Sequence, residues 1–389
     1  MKLQIVMQFL ESRGLDKSLA QLQVETETEF KPESVEIGGV FDTVTEKYFA
    51  ESLNPKHAII DDGLPKPGVC ATDVTHQLVD IHGNANPTCI AFHPTDSNLV
   101  VTGGADRRLI IRSVREDEIV ASVDLPSPVL CVHWHDPGIA VGCMGGEVFW
   151  IPHYGSQHTL SPTSCGKPHG NAKVSTVKFS PDGNTFATTA KHSSVFFFNT
   201  ATGAKLEQTV RCLRDVSAIC WIDSTTILVA ETDDPMIGIF SVSGEKAVKL
   251  GEICMNLSLR DPRTAYSALT MAWNSELRLL AVSTSRNSTL LFRLPITFSD
   301  DEWQSPCPLK ALYGMSIGIY DLPSVEFSLD GTFLYVTSDK EILVFEIKSG
   351  HKIFTIRASD TNAIRGMRRH RQLDVLATVS FDKKLTIVE

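Results

Sequence analysis

The sequence predicts a mainly β fold, a seven-bladed β-propeller preceded by an α-helical hairpin. Three observations carry that expectation. First, one phrase recurs, most clearly at Thr102–Arg112, Thr188–Phe198 and Thr378–Val388. Each copy is a small-residue strand end, a tight polar turn and then an apolar strand. Looser copies fall between them at spacings of about 40–50 residues, the period of propeller blades. Second, the apolar strand ends seven times, at Arg112, Ile151, Phe198, Phe240, Phe292, Phe345 and Val388. Third, turn signals recur at matching places, at His93–Ser97, Ser180–Gly183 and Ser328–Gly331, each between two β-rich runs.

The N-terminal region has a different period. Leu3, Val6, Met7 and Leu10 follow helical spacing, and Ile5 and Phe9 widen the stripe. Gly14 is a natural stop, and Asp16 is a good N-cap for a second helix carrying Leu15, Leu19 and Leu22 on one side. Such a short hairpin cannot bury these faces against itself, so it needs another surface. Residues 31–75 read as a linker. Phe41–Leu53 within it has the spacing of a short amphipathic helix, and the stretch from 54 to 73 holds Pro55, Gly63, Pro65, Pro67 and Gly68. From His76 to Glu389 the pattern is strand and turn. His76–Ile81 precedes the first copy as a free strand, and pairing it with Leu385–Glu389 closes the ring and removes two exposed edges.

Bulk properties narrow the function. A chain of 389 residues with 42% hydrophobic content supports a real core. The net charge of −10 argues against binding along nucleic acid, which needs a broad basic surface. No apolar run approaches the ~20 residues of a membrane span. Gln4, Gln8 and Glu11 interrupt any signal-peptide core. The nine cysteines are odd in number and scattered, with no C-x-x-C pair, which points to a reducing compartment. The expected location is therefore the cytoplasm, with the nucleus as the alternative. Cys89, Cys131 and Cys220 look equivalent in three repeats, as buried small residues of inner strands.

The repeats resemble WD-repeat propellers over roughly residues 76–389. His82-Gly83 and His169-Gly170 stand ahead of inner strands. In that family a His, a Ser or Thr, an Asp and a Trp form a hydrogen-bonded tetrad. The first blade retains His82, Thr102 and Asp106, but Arg112 occupies the Trp position, and no copy has Trp there. The hairpin resembles a LisH motif through Ile5, Phe9, Leu10, Gly14, Leu15, Ser18, Leu19, Leu22 and Glu25. That resemblance implies dimerisation, with Ile5, Phe9, Leu10, Leu15, Leu19 and Leu22 at the pairing face.

Catalytic and metal motifs give little. There is no G-x-S-x-G elbow and no H-E-x-x-H. Gly142–Gly146 lacks the Lys-Ser/Thr of a P-loop and reads as a hairpin turn. His133 and His135 share a strand face but lack a third ligand nearby. No enzyme, cofactor or metal is expected.

Binding surfaces are the better reading. Two enlarged loops carry Arg260, Arg263 and Tyr266, and Tyr320 and Asp321, residue types typical of interface anchors. Arg365, Arg368, Arg369 and Arg371 form the densest basic cluster, placed at the turn between inner strands of the last blade and suited to an acidic protein, a phosphate or an anionic lipid. Asp300–Trp303 reads either as a further docking element or as a segment packed on the side of the barrel. The function expected is a non-enzymatic, homodimeric scaffold or adaptor in a multiprotein complex. The lissencephaly-protein relatives suggest cytoskeletal motor regulation or trafficking. The alternative is a substrate receptor or subunit of a ubiquitin ligase, to which Arg115 after Arg112-Ser-Val gives slight support, or a nuclear corepressor-type subunit.

Overall fold

The computed structural model describes residues 70–152, 160–191, 194–256, 267–295, 298, 305–316, 323–361 and 363–389. The chain divides into two units, Met1–Ala58 and Ile59–Glu389, and all described residues belong to the second. The hairpin and Phe41–Leu53 therefore lie outside the described residues.

The described residues form seven four-stranded antiparallel sheets, the blades of a propeller. Strand β1 (Val74–Leu78) stands alone at the start. Blade one is β2 (Pro87–Phe92), β3 (Leu99–Gly104), β4 (Arg108–Ser113) and β5 (Glu118–Asp124). Blade two is β6 (Val129–His135), β7 (Gly138–Cys143), β8 (Val148–Pro152) and the short β9 (Thr163–Ser164). Blade three is β10 (Val174–Phe179), β11 (Thr185–Ala190), β12 (Ser194–Asn199) and β13 (Lys205–Arg211). Blade four is β14 (Val216–Trp221), β15 (Thr226–Glu231), β16 (Met236–Ser241) and β17 (Val248–Cys254). Blade five is β18 (Ala268–Asn274), β19 (Leu279–Thr284), β20 (Ser288–Arg293) and β21 (Lys310–Tyr313). Blade six is β22 (Val325–Phe327), β23 (Phe333–Ser338), β24 (Glu341–Glu346) and β25 (Lys352–Arg357). Blade seven takes β26 (Ile364–Arg369), β27 (Leu376–Ser380) and β28 (Leu385–Val388), and β1 supplies its outer strand.

The sequence pattern explains this layering. Second strands are packed on both faces by neighbouring blades, so β7, β19, β23 and β27 are buried along their whole length and read as continuous apolar or small runs. Outer strands have one wet face. Accordingly β5 exposes Glu118, Ile119, Ser122 and Asp124, and covers Ala121 fully and Val120 and Val123 in part. Core clusters run across blade boundaries, as where Leu228 and Ile239 of blade four join Met271 and Leu280 of blade five.

Two repeated turns show local chemistry fixing the register. Ser180 Oγ donates to Asp182 Oδ1 at 2.6 Å, and Ser328 Oγ donates to Asp330 Oδ1 at 2.6 Å. The same carboxylates accept the N–H of Asn184 and Thr332. Gly183 and Gly331 then adopt φ of 73° and 70°, a region that glycine enters without steric cost.

Closure follows the expected pairing. Leu78 opposes Leu385, Gln77 opposes Thr386 and Val74 opposes Val388. The strand begins at Val74, slightly ahead of the expected His76, and the clamp extends further upstream. The N–H groups of Thr72 and Asp73 both donate to Glu389 O, and Glu389 N donates to Asp73 O. Ala71 N donates to Tyr335 Oη at 3.0 Å, and that hydroxyl donates to Asp374 Oδ2 at 3.0 Å. Residues 71–73, expected as the end of a linker, thus belong to the closure.

The inner-strand cysteines need one correction. Cys89 and Cys131 are equivalent, opposite Gly103 and Gly142. Cys220 is opposite Leu228, while Ala218 holds the position corresponding to the other two. A shift of two residues keeps a side chain on the same face of a strand, so burial alone does not distinguish these registers.

Candidate functional site: the channel mouth and its supports

The seven innermost strands place equivalent residues around a central channel. Register fixes which these are. His133 opposes Ala140, Lys178 opposes Ala187, Glu326 opposes Tyr335 and Arg368 opposes Ala377. The small residues Ala91, Cys220 and Ala272 hold the same position in the other three blades. One residue further along, six blades carry an aromatic side chain: Phe92, Trp134, Phe179, Trp221, Trp273 and Phe327. The seventh carries Arg369. These residues line a cavity of about 400 Å³ at the end of the channel where innermost strands turn into second strands.

The aromatic layer is structural and continues outward. Phe179 opposes Phe186, which opposes Phe198. Phe186 and Phe198 stack with centroids 4.9 Å apart and an interplanar angle of 8°. Trp221 Nε1 donates to Lys178 O at 3.1 Å and ties blade four to blade three.

Electrostatics at the mouth follow from burial. His133 Nδ1 accepts the Phe179 N–H at 2.9 Å, so its proton sits on Nε2 when the ring is neutral. Burial, aided by Arg368 and Lys178, holds its pKa well below the ordinary histidine range. Burial and Arg371 lower His135 as well. Both imidazoles are neutral at pH 7. Burial also lowers the Lys178 pKa, although Cys220 and Glu326 oppose it. Arg368 Nη1 lies 3.6 Å from Glu326 Oε1, and Arg371 Nη1 pairs with Asp136 Oδ2 at 3.0 Å.

The basic cluster is arranged differently from its sequence reading. Arg365, Arg368 and Arg369 belong to strand β26, and the turn starts only at His370. Six residues of strand span about 20 Å. Arg365 is therefore at the opposite end of the strand, where its guanidinium lies 5.6 Å from the Phe381 ring centroid. Arg368, Arg369 and Arg371 all reach the mouth. Arg260, Arg263, Tyr266, Tyr320, Asp321 and Trp303 lie outside the described residues, as do Ile5, Phe9, Leu10, Leu15, Leu19 and Leu22. The metal reading of His133 and His135 gains nothing, since His133 Nδ1 is already engaged. Among the described residues no group of three or more His, Cys, Asp or Glu side chains is placed to hold a metal.

Lys178, Glu326, Trp221 and Trp273 were missed by sequence reasoning. The signal that reveals them is register: once the second strands are paired, the seven positions align.

The hydrogen bonding that the resemblance implies for the first blade forms at His82, Thr102 and Asp106. His82 Nδ1 contacts Asp106 Oδ1 at 2.9 Å, and His82 Nε2 contacts Thr102 Oγ1 at 3.0 Å. Arg112 ends the chain of bonds by pairing instead with Asp117 Oδ1 at 2.6 Å. In blade three His169 Nε2 meets Thr188 Oγ1 at 3.0 Å. In blade seven Asp382 accepts from Ser359 Oγ at 2.9 Å and from Ser380 Oγ.

Burial lowers the pKa of His82 despite Asp106, and also of His93, His133, His135 and His370. The folded state then binds fewer protons than the unfolded chain below the ordinary histidine value of about 6.5. Stability is full above that value and falls as pH drops through it. We expect the melting temperature at pH 5.5 to lie several degrees below that at pH 7.5. A flat profile across this window in a calorimetric scan would contradict the assignment of neutral buried imidazoles.

Among the described residues no helix is long and apolar enough to cross a membrane. No curated protein matches the chain. The family described as WD domain, G-beta repeat matches residues 75–113 and 160–199. These are the two stretches that hold the buried His82–Thr102 and His169–Thr188 pairs. The chain thus carries WD40 repeats in these two stretches, within a seven-bladed β-propeller.

Proposed function

We propose that this chain is a dimeric, non-enzymatic scaffold that presents propeller faces to protein partners in a multiprotein complex. The closed ring is the observation that carries this reading. Pairing of β1 with β28 completes the fourth strand of the last blade and joins the two ends of the ring, which fixes the loops of both faces on a rigid frame. WD40 propellers are generally interaction scaffolds rather than enzymes. Partner contacts are assigned to Arg260, Arg263, Tyr266 and Tyr320 on the loops joining β17 to β18 and β21 to β22, which enter neighbouring blades. The cytoplasm is the proposed location, in line with the scattered cysteines, and motor regulation or trafficking the proposed setting.

Pairing is assigned to the LisH-like hairpin, through Phe9 and Leu22 above all. Two linked rings gain avidity on a multivalent target without a new contact. Light scattering of the full chain should give twice the monomer mass. Replacing Phe9 and Leu22 with Asp should halve that mass and leave the melting temperature of the ring unchanged. A monomer in both proteins would remove the avidity argument. Affinity purification from cells then tests the setting: motor or microtubule proteins support it, and cullin adaptors point to the ligase reading instead.

A further inference from the structure

The channel mouth gathers positive charge in an acidic chain. The net charge is −10, yet Lys178, Arg368, Arg369 and Arg371 line the cavity against one lining carboxylate, Glu326. Two of the four cations stand nearer the rim. Arg371 pairs with Asp136 at the rim, and Arg369 Nη1 donates to the carbonyls of His370 at 2.7 Å and Leu373 at 3.2 Å. Lys178 and Arg368 are different. They share one level of the channel with His133 and Glu326. Lys178 Nζ donates to Met271 O at 3.2 Å, and Arg368 Nη1 donates to Met367 O at 3.0 Å. A carbonyl accepts a hydrogen bond but supplies no counter-charge, so Glu326 alone among the lining residues faces both cations.

We propose that the channel mouth binds a small phosphorylated metabolite, its phosphate seated between Lys178 and Arg368. The cavity of about 400 Å³ falls within the size range of small-molecule pockets. Lys178 and Arg368 against Glu326 leave one positive charge at this level, and a phosphate supplies negative charge there and accepts several charge-assisted bonds at once, for which a guanidinium and an ammonium are suited donors. A compact ligand is favoured over an acidic protein segment because Arg371 at the rim is already paired with Asp136, whereas Lys178 and Arg368 lie deeper. The site is independent of the hairpin and of the partner loops, and it goes beyond the scaffold reading.

The test uses the full chain at constant ionic strength, with pyrophosphate and ribose 5-phosphate as probes. Tryptophan emission is the readout, because Trp134, Trp221 and Trp273 all line the mouth. We expect a saturable change with the phosphates. Lys178→Gln and Arg368→Gln should each weaken it by about tenfold or more, the scale of a lost hydrogen bond to a charged group. Arg368→Lys should recover part of the loss. Lys173→Gln, an exposed control, should bind as the parent does. A melting scan with and without pyrophosphate gives a second measure that needs no variant, since a ligand of the folded state raises the transition. No saturable signal together with no thermal shift overturns the proposal. So does equal binding by the Lys178 and Arg368 variants. Binding of an acidic peptide with both phosphates inert would overturn it in favour of a protein carboxylate.

Discussion

Deleting residues 385–389 should abolish cooperative folding of the ring, not merely trim its last blade. Leu385 and Val388 are fully buried and Ile387 is nearly so. Burying each such side chain is worth about 1.5–3 kcal/mol, and a whole domain is stable by only about 5–15 kcal/mol. The loss goes beyond area. Strand β28 lies between β27 and β1, so its removal leaves both with unpaired edges. It also takes away Glu389, which anchors Thr72 and Asp73. The expected result is loss of a sharp melting transition and a large fall in soluble yield. The point variant Leu385→Ala is the milder check, with an expected cost of about 2–5 kcal/mol in denaturant unfolding. A truncated chain that melts as sharply and as high as the parent would show that closure contributes little.

Phe186→Ala should be the most damaging single substitution in the aromatic layer. Phe186 has no exposed surface. It stacks on Phe198, and its centroid lies 5.6 Å from that of Phe179 and 5.8 Å from that of Trp150. These rings come from two blades, so the cavity opens at the joint between blades two and three. Such a joint cannot collapse without moving a whole sheet. The expected loss is about 3–5 kcal/mol, read from urea unfolding with an unchanged slope. Phe186→Leu keeps most of the volume and should cost less. A loss under about 1 kcal/mol for the alanine variant would mean that the blades repack freely.

Much of the fold was legible because its repeats obey local chemistry. The Ser-x-Asp-Gly turns at Ser180 and Ser328 fix hairpins through bonds spanning two to five residues, and such bonds are visible in a short window. His82, Thr102 and Asp106 could be matched because they recur at set offsets within one repeat. The site was less legible. His133, Lys178, Glu326 and Arg368 come from four blades, and nothing in their separate sequence contexts links them. The basic cluster was found, but its geometry was not: a run of arginines looks the same on a turn as on a strand. Only the pairing of Arg369 with Leu376 shows that the strand continues through it. The hydrophobic period likewise left Cys220 two residues out of register, because period-two burial is blind to such a slip.

The sequence by itself determined the class of fold, the number of blades and the closing pair of strands, since each follows from period, turn residues and the need to satisfy sheet edges. Tertiary structure alone decided which side chains meet. The ring folds the innermost strand of every blade onto one axis, and only there do Lys178 and Arg368 become neighbours of Glu326. Charge density in a channel depends on distance through space, and distance along the chain carries no record of it.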